Sequence, residues 1–283
     1  MEQTFMKEKK ILPLVLSMSL PMMLSMLVNS LYNIVDSYFV AQISEQAMTA
    51  LSLVYPLQLL ETAIAVGFGV GMNAAAAYYL GAKEQQRADD IVTSGLILSL
   101  LHGVILMAAT LLFAPAFVSL FTENEKILAD GVKYSNLVFI FAVPNVIAIT
   151  FEKIFQAEGR MKVSMISMLC GCVANIILDP LLIFGIGIFP KMGIEGAAIA
   201  TGIGQVIPLI VYLFVFIKYP VSLHFHWHKK NFQKRLVAQM YGVGIPATLN
   251  LALPSFMITA LNGILAVYSA SYVLVLGIYY KLQ

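Results

Sequence analysis

The sequence predicts an all-α polytopic membrane protein, and three observations carry that prediction. Of 283 residues, 60% are apolar and only 11% charged, with a mean hydropathy of +0.86, whereas a soluble domain carries about 25% charged residues. Apolar runs recur at the ~20-residue length that crosses the hydrocarbon core as a helix, far beyond the roughly 9–11 alternating residues of a barrel strand. The charges clump in the gaps between these runs. A soluble enzyme, a nucleic-acid binder and a disordered chain are thereby excluded. The net charge of +2 implies no bulk electrostatic partner. The two cysteines, Cys170 and Cys172, lie in an apolar stretch and cannot form a disulfide framework.

Spans are expected near 11–41, 47–80, 91–120, 133–157, 162–185, 193–217 and 235–267, with an eighth starting near 270 and cut off at Gln283. The first run is too long for a signal-peptide core and lacks a small-residue cleavage site, so it stays as a helix. The second carries Glu61 and the glycines Gly67, Gly69 and Gly71; these sit inside an apolar helix, and with no GxxxxGK[ST] there is no nucleotide site. The third is expected over 91–120. The fourth ends in Glu152 and Lys153, read as a local ion pair. The fifth and sixth carry the polar residues taken up below. The gap after the sixth holds His224, His226 and His228, read as a solvated loop rather than a metal site.

Thirteen basic residues fall in the gaps on one side: Lys7, Lys9, Lys10, Lys83, Arg87, Lys153, Arg160, Lys162, Lys218, Lys229, Lys230, Lys234 and Arg235. Three fall on the other: Lys126, Lys133 and Lys191. This bias places the N-terminus in the cytoplasm of a multi-pass plasma (inner) membrane protein. A shift of 225 residues superposes 11–58 on 236–283, matching Pro21 with Pro246, Ser30 with Ser255, Ala41 with Ala266 and Ser44 with Ser269. Six helices separate the copies, so the repeat is parallel. The domains are therefore 1–218 as a first lobe of six helices, 219–234 as a cytoplasmic inter-lobe loop, and 235–283 as the start of a second lobe whose remainder is expected to lie beyond this chain. Lys281 falls opposite Pro56 and belongs inside the membrane.

Ionisable residues inside a membrane cost about 2.5–3.5 kcal/mol on insertion scales and mark pathways. In the first span Ser25, Asn29, Tyr32, Asn33 and Asp36 recur at three- and four-residue spacing on one stripe. The fifth carries Ser164, Ser167, Gly171, Asn175 and Asp179 likewise, and the sixth opens on the small face Gly196, Ala197, Ala200, Thr201 and Gly204. At 1.5 Å per residue, Asp36, Asp179 and Thr201 all lie roughly 8–12 Å below the outer surface. Pro180 cannot donate to the Ile176 carbonyl, which adds a free oxygen. Two carboxylates, an amide and a hydroxyl at one level suit H+ or Na+. Glu61 lies about 21 Å from the outer end of its helix, below that level, and can face a cavity with Asn29, Tyr32 and Asn33.

The stretches SLPMMLSMLVNSLYNIVDSYFVA (19–41), GVGMNAAAAYYLGAK (69–83), FQAEGRMKVSMISMLCGCVANIILDPLLIFGIG (155–187), MGIEGAAIATGIGQ (192–205) and GIPATLNLALP (244–254) resemble the multidrug and toxic compound extrusion (MATE) family of secondary antiporters. The resemblance implies a MATE-type six-helix N-lobe followed by helix 7 and part of helix 8 of a C-lobe, and extrusion of lipophilic organic cations in exchange for H+ or Na+ without a cofactor. It implies that Asp36, Asn175, Asp179 and Thr201 form the cation-coupling site. The segment between Asp179 and Thr201 is slightly long, and Leu261 stands where the first copy has Asp36, so coupling is expected to be one-sided. The alternatives are a flippase for lipid-linked substrates from the same superfamily and a truncated, non-transporting membrane partner. No nucleophile–base pair points to an enzyme, and the expected partners are small organic cations and the bilayer, not nucleotides or nucleic acids.

Overall fold

The computed structural model describes residues 10–219, 221–226 and 233–282, and these fold as helices and connecting turns with no strand among them. In chain order the helices are α1 (Ile11–Ala41), α2 (Glu45–Gly81), α3 (Gln85–Ser119), α4 (Glu125–Ile140), α5 (Ala142–Ala157), α6 (Met161–Phe184), α7 (Ile194–Lys218), α8 (Lys234–Ala266) and α9 (Ala270–Leu282). Six of them, α1, α2, α3, α6, α7 and α8, are each long and apolar enough to cross a membrane, and α4 and α5, counted together across their bend, pass the same test. The chain is an all-helical, multi-pass membrane protein.

The fourth span begins earlier than its apolar run predicts and is bent by 47° between α4 and α5. Asn124 caps α4, its side chain accepting from the Lys126 and Ile127 amides, so the helix starts in a polar turn that hydropathy does not register. The bend falls at Phe141, three residues before Pro144, whose ring lacks an amide and crowds the preceding turn.

Helix boundaries follow the repeat. α1 and α8 end on Ala41 and Ala266, and α2 and α9 begin on Glu45 and Ala270, each pair 225 residues apart. The cap recurs as well: Ser44 accepts from the Ala47 amide at 3.0 Å, and Ser269 from the Ser271 amide at 3.2 Å. Both copies thus turn at the same place for the same local reason.

Two apolar cores hold the bundle, one at each end. Near the loops between α1 and α2, α3 and α4, and α6 and α7, residues such as Leu51, Val118, Phe139 and Ile183 pack together. At the opposite end, where the basic residues cluster, Met72, Ile91, Phe155, Tyr212 and Met240 do so. Small residues allow the crossings to be close. A Cβ on Gly171 of α6 would lie 2.4 Å from the Gly204 carbonyl of α7, and one on Gly71 of α2 would lie 2.0 Å from the Met240 carbonyl of α8. Backbones that approach this closely gain dispersion contact, which drives association where lipid tails are as apolar as the helices. The glycines of α2 therefore serve helix packing.

Candidate functional site

Between the two cores lie the buried polar residues. α6 carries Asn175 and Asp179 one turn apart on the face against α7, and Gly204 of α7 leaves room for that face, since a Cβ there would lie 3.0 Å from the Asn175 Cβ. The loop between the helices is long, yet it folds back on α6. Gly185 ends the helix in the left-handed conformation, and the Met192 and Gly193 amides donate to the Leu182 and Ile183 carbonyls at 3.0 and 3.1 Å. This return brings Thr201 level with Asn175. The Asn175 amide, turned so that its oxygen does not face acceptors, donates to Asp179 Oδ2 at 3.1 Å and accepts from the Thr201 backbone amide at 3.2 Å. Asp179 is 0% exposed, Asn175 1%, Thr201 6% and Asp36 5%.

Asp36 reaches the group from α1, within Coulombic range of Asp179. Its Oδ1 has no hydrogen-bond partner. Its other oxygen lies 3.9 Å from Lys281 Nζ of α9, and that ammonium donates to Ser37 Oγ at 2.9 Å. The repeat register puts Lys281 inside the membrane, where it is buried; its pairing with Asp36 is what sequence reasoning missed. The position opposite Pro56 was the available signal, but the partner was not readable from it.

A cavity of about 320 Å3 opens between α1, α2, α5, α6 and α7, within the usual range for ligand sites. Asn175 and Thr201 line one end of it, and Met22, Met26 and Met168 supply soft apolar wall. Of the four cavity candidates, Asn29 and Tyr32 line it, whereas Asn33 turns its amide onto the Asn29 carbonyl at 2.8 Å. Glu61 stands behind the wall, accepting from Asn145 Nδ2 at 3.1 Å, and Asn145 is the residue that reaches the cavity. At the end nearer the basic loops Lys153 donates to Glu152 Oε1 at 3.0 Å and Gln156 Oε1 at 3.1 Å, the ion pair expected there, and all three line the cavity.

The histidine loop is anchored through its backbone. The Ser222 and Leu223 amides donate to Glu158 Oε1 at 2.6 and 2.9 Å, and the His224 amide to Asp89 Oδ1 at 2.9 Å. Leu223 is buried, so the backbone of the segment is pinned to the bundle, while His224 and His226 stay exposed as the loop reading expects. His228 lies outside the described residues. Among those described, no group of three or more His, Cys, Asp or Glu could hold a metal ion, and Cys170 and Cys172 are both free.

Comparison with known proteins agrees with this architecture. The chain is 30% identical over 285 aligned residues to the multidrug export protein MepA of Staphylococcus aureus (strain NCTC 8325 / PS 47), covering 99% of this chain and 62% of MepA, so it spans about three fifths of that relative's length. Among solved structures it superposes with a TM-score of 0.76 and 26% identity on an inward-facing multidrug resistance MATE family transporter of the MOP superfamily, covering 95% of this chain and 64% of the other. An outward-facing structure described in the same terms gives 0.75 and 26%, covering 95% and 65%. The MatE family profile matches residues 21–181, more than half of the chain, and with the all-helical bundle around a buried polar cluster this makes the chain a member of the MatE family.

Proposed function

We propose that the protein is a secondary antiporter that exports lipophilic organic cations in exchange for H+ or Na+, with Asp36, Asn175, Asp179 and Thr201 as the coupling site. The observation that carries this reading is the buried chain from the Thr201 amide through Asn175 to Asp179, at the head of an apolar-walled cavity. Buried acids at such a place are costly unless a cation binds there, and the free Oδ1 of Asp36 has capacity for one. Asn29 and Tyr32 line the cargo space, and Glu61 acts on it through Asn145. Export by MepA and the basic-residue bias support a plasma-membrane location with the N-terminus in the cytoplasm.

A flippase for lipid-linked anionic substrates is the second reading, favoured by the presence of Lys153 on the cavity wall. Its pairing with Glu152 at 3.0 Å neutralises that charge and supports cationic cargo instead.

The test uses Asp36→Asn, nearly isosteric, in the protein expressed in a drug-sensitive host. Normal membrane levels, retained dye binding and abolished ion-driven efflux are expected. Unchanged efflux with unchanged ion dependence would remove Asp36 from the coupling site, and equal protection against cationic dyes and anionic detergents would favour the flippase. Orientation is checked with single cysteines at Lys218 and Glu123 under a membrane-impermeant thiol reagent. Only Glu123→Cys should react in intact cells; the reverse pattern inverts the topology.

A further inference from the structure

Lys281 belongs to α9, the second helix of the second repeat, yet its ammonium is buried against α1 of the first. Four groups face it: Asp36 at 3.9 Å, Ser37 Oγ at 2.9 Å, the Tyr55 ring at 5.4 Å from its centroid, and Asp179 at longer Coulombic range. The rest of α9 is held to α2. The Ser271 hydroxyl donates to Glu45 Oε1 at 3.1 Å, and Gly277 packs so closely on Ser52 that a Cβ would lie 2.3 Å from its hydroxyl. Lys281 is therefore the polar link between α9 and α1.

That link is unusually replaceable. The ammonium donates to Ser37, and 3.9 Å from Asp36 Oδ2 exceeds hydrogen-bond distance. The carboxylate keeps Oδ1 without a partner. A buried charge with a distant counter-ion and an orphan oxygen is incompletely compensated. A cation that binds it directly is favoured over the ammonium, and two positive charges on one carboxylate repel.

We propose that Lys281 is a tethered counter-ion of Asp36 that the coupling cation displaces, so that cation occupancy of Asp36 and the contact between α1 and α9 exclude one another. The proposal rests on Asp36 being a coupling residue. It turns a local binding event into a movement between the two repeats, because the displaced charge is carried by a helix of the second. A cation can shift such an equilibrium only by its differential affinity for the two states, and the lysine supplies that difference.

The test has two readouts. Spin labels on Glu123→Cys and Tyr272→Cys, in a background with Cys170→Ala and Cys172→Ala, report the distance from α9 to the first lobe in the purified 283-residue chain in lipid nanodiscs. Asp36→Asn imitates a neutralised carboxyl, and Lys281→Met removes the tethered charge at similar length. Both should shift the distance distribution, the double variant no further than either single, and Lys281→Arg should keep that of the parent. In efflux measurements, Lys281→Met should also lower the half-saturating concentration of the driving cation, H+ or Na+, about tenfold, since its competitor is gone. A lysine that merely packs would shift the distance and leave this concentration unchanged, which overturns the proposal, as does an unshifted distance in either single variant. Should Asp36→Asn shift the distance while efflux keeps its ion dependence, the coupling reading fails and the contact between Lys281 and Asp36 stands.

Discussion

Two contacts between helices related by the 225-residue shift, α2 with α8 and α1 with α9, are made differently. Where α2 meets α8 the contact is neutral and close. Cβ atoms on Gly67 and Gly71 would lie 2.6 Å from the Thr248 Cα and 2.0 Å from the Met240 carbonyl, and Ser255 donates to the Pro56 carbonyl at 2.7 Å. Where α9 meets α1, the corresponding pair, the contact runs through Lys281, Ser37 and Asp36. The difference follows from the sequences of the copies: Asp36 corresponds to Leu261, and Lys281 to Pro56. A neutral seam of glycine and a serine hydroxyl holds regardless of which ions are present. A seam that rests on a buried charge is, under the proposal above, the one that a cation reaching the carboxylate opens. Related helices thus make contacts of different chemistry, one neutral and one built on a buried charge.

The comparison breaks first at Gly71. Replacing it with Leu drives a side chain into the Met240 carbonyl and the Gly244 amide, which as backbone cannot step aside. Overpacking of this kind costs roughly 1–3 kcal/mol, and more where backbone must move. The variant should lose most of its folded yield, read as the monodisperse fraction after solubilisation. Wild-type yield would show that α2 and α8 do not pack this closely. The smallest effect is expected at Ser255→Ala, which deletes the hydrogen bond to Pro56; such bonds in membranes average about 0.6 kcal/mol. A slight fall in thermal midpoint with no change in the ion dependence of efflux would sharpen the contrast with Lys281→Met. A change in ion dependence would show that the neutral seam takes part in coupling.

The sequence by itself determined the class of fold, the number and approximate placement of the spans, the repeat and the polar stripes. These are local or periodic properties. Twenty apolar residues cross a bilayer wherever they occur, and a three-to-four spacing defines a face before any neighbour is known. The equal spacing of Ala41 from Ala266 and of Glu45 from Ala270 was legible as a register in the same way. Depth counting put Asp36, Asp179 and Thr201 at one level; the structure joins Asp179 through Asn175 to the Thr201 backbone amide, while Asp36 meets Lys281 instead.

Only the tertiary structure decided which polar residue meets which. That Lys281 sits beside Asp36, that Glu61 stands behind Asn145, and that Glu158 and Asp89 hold the inter-lobe segment depend on pairs 245, 84, 64 and 135 residues apart. Their meeting is set by how closely helices cross, which small residues at a few positions control. The return of the loop after Gly185 decided the level of Thr201 in the same way. Hydropathy within a span is the same whichever neighbour it faces, so it leaves the crossings open and with them the partner of each buried charge.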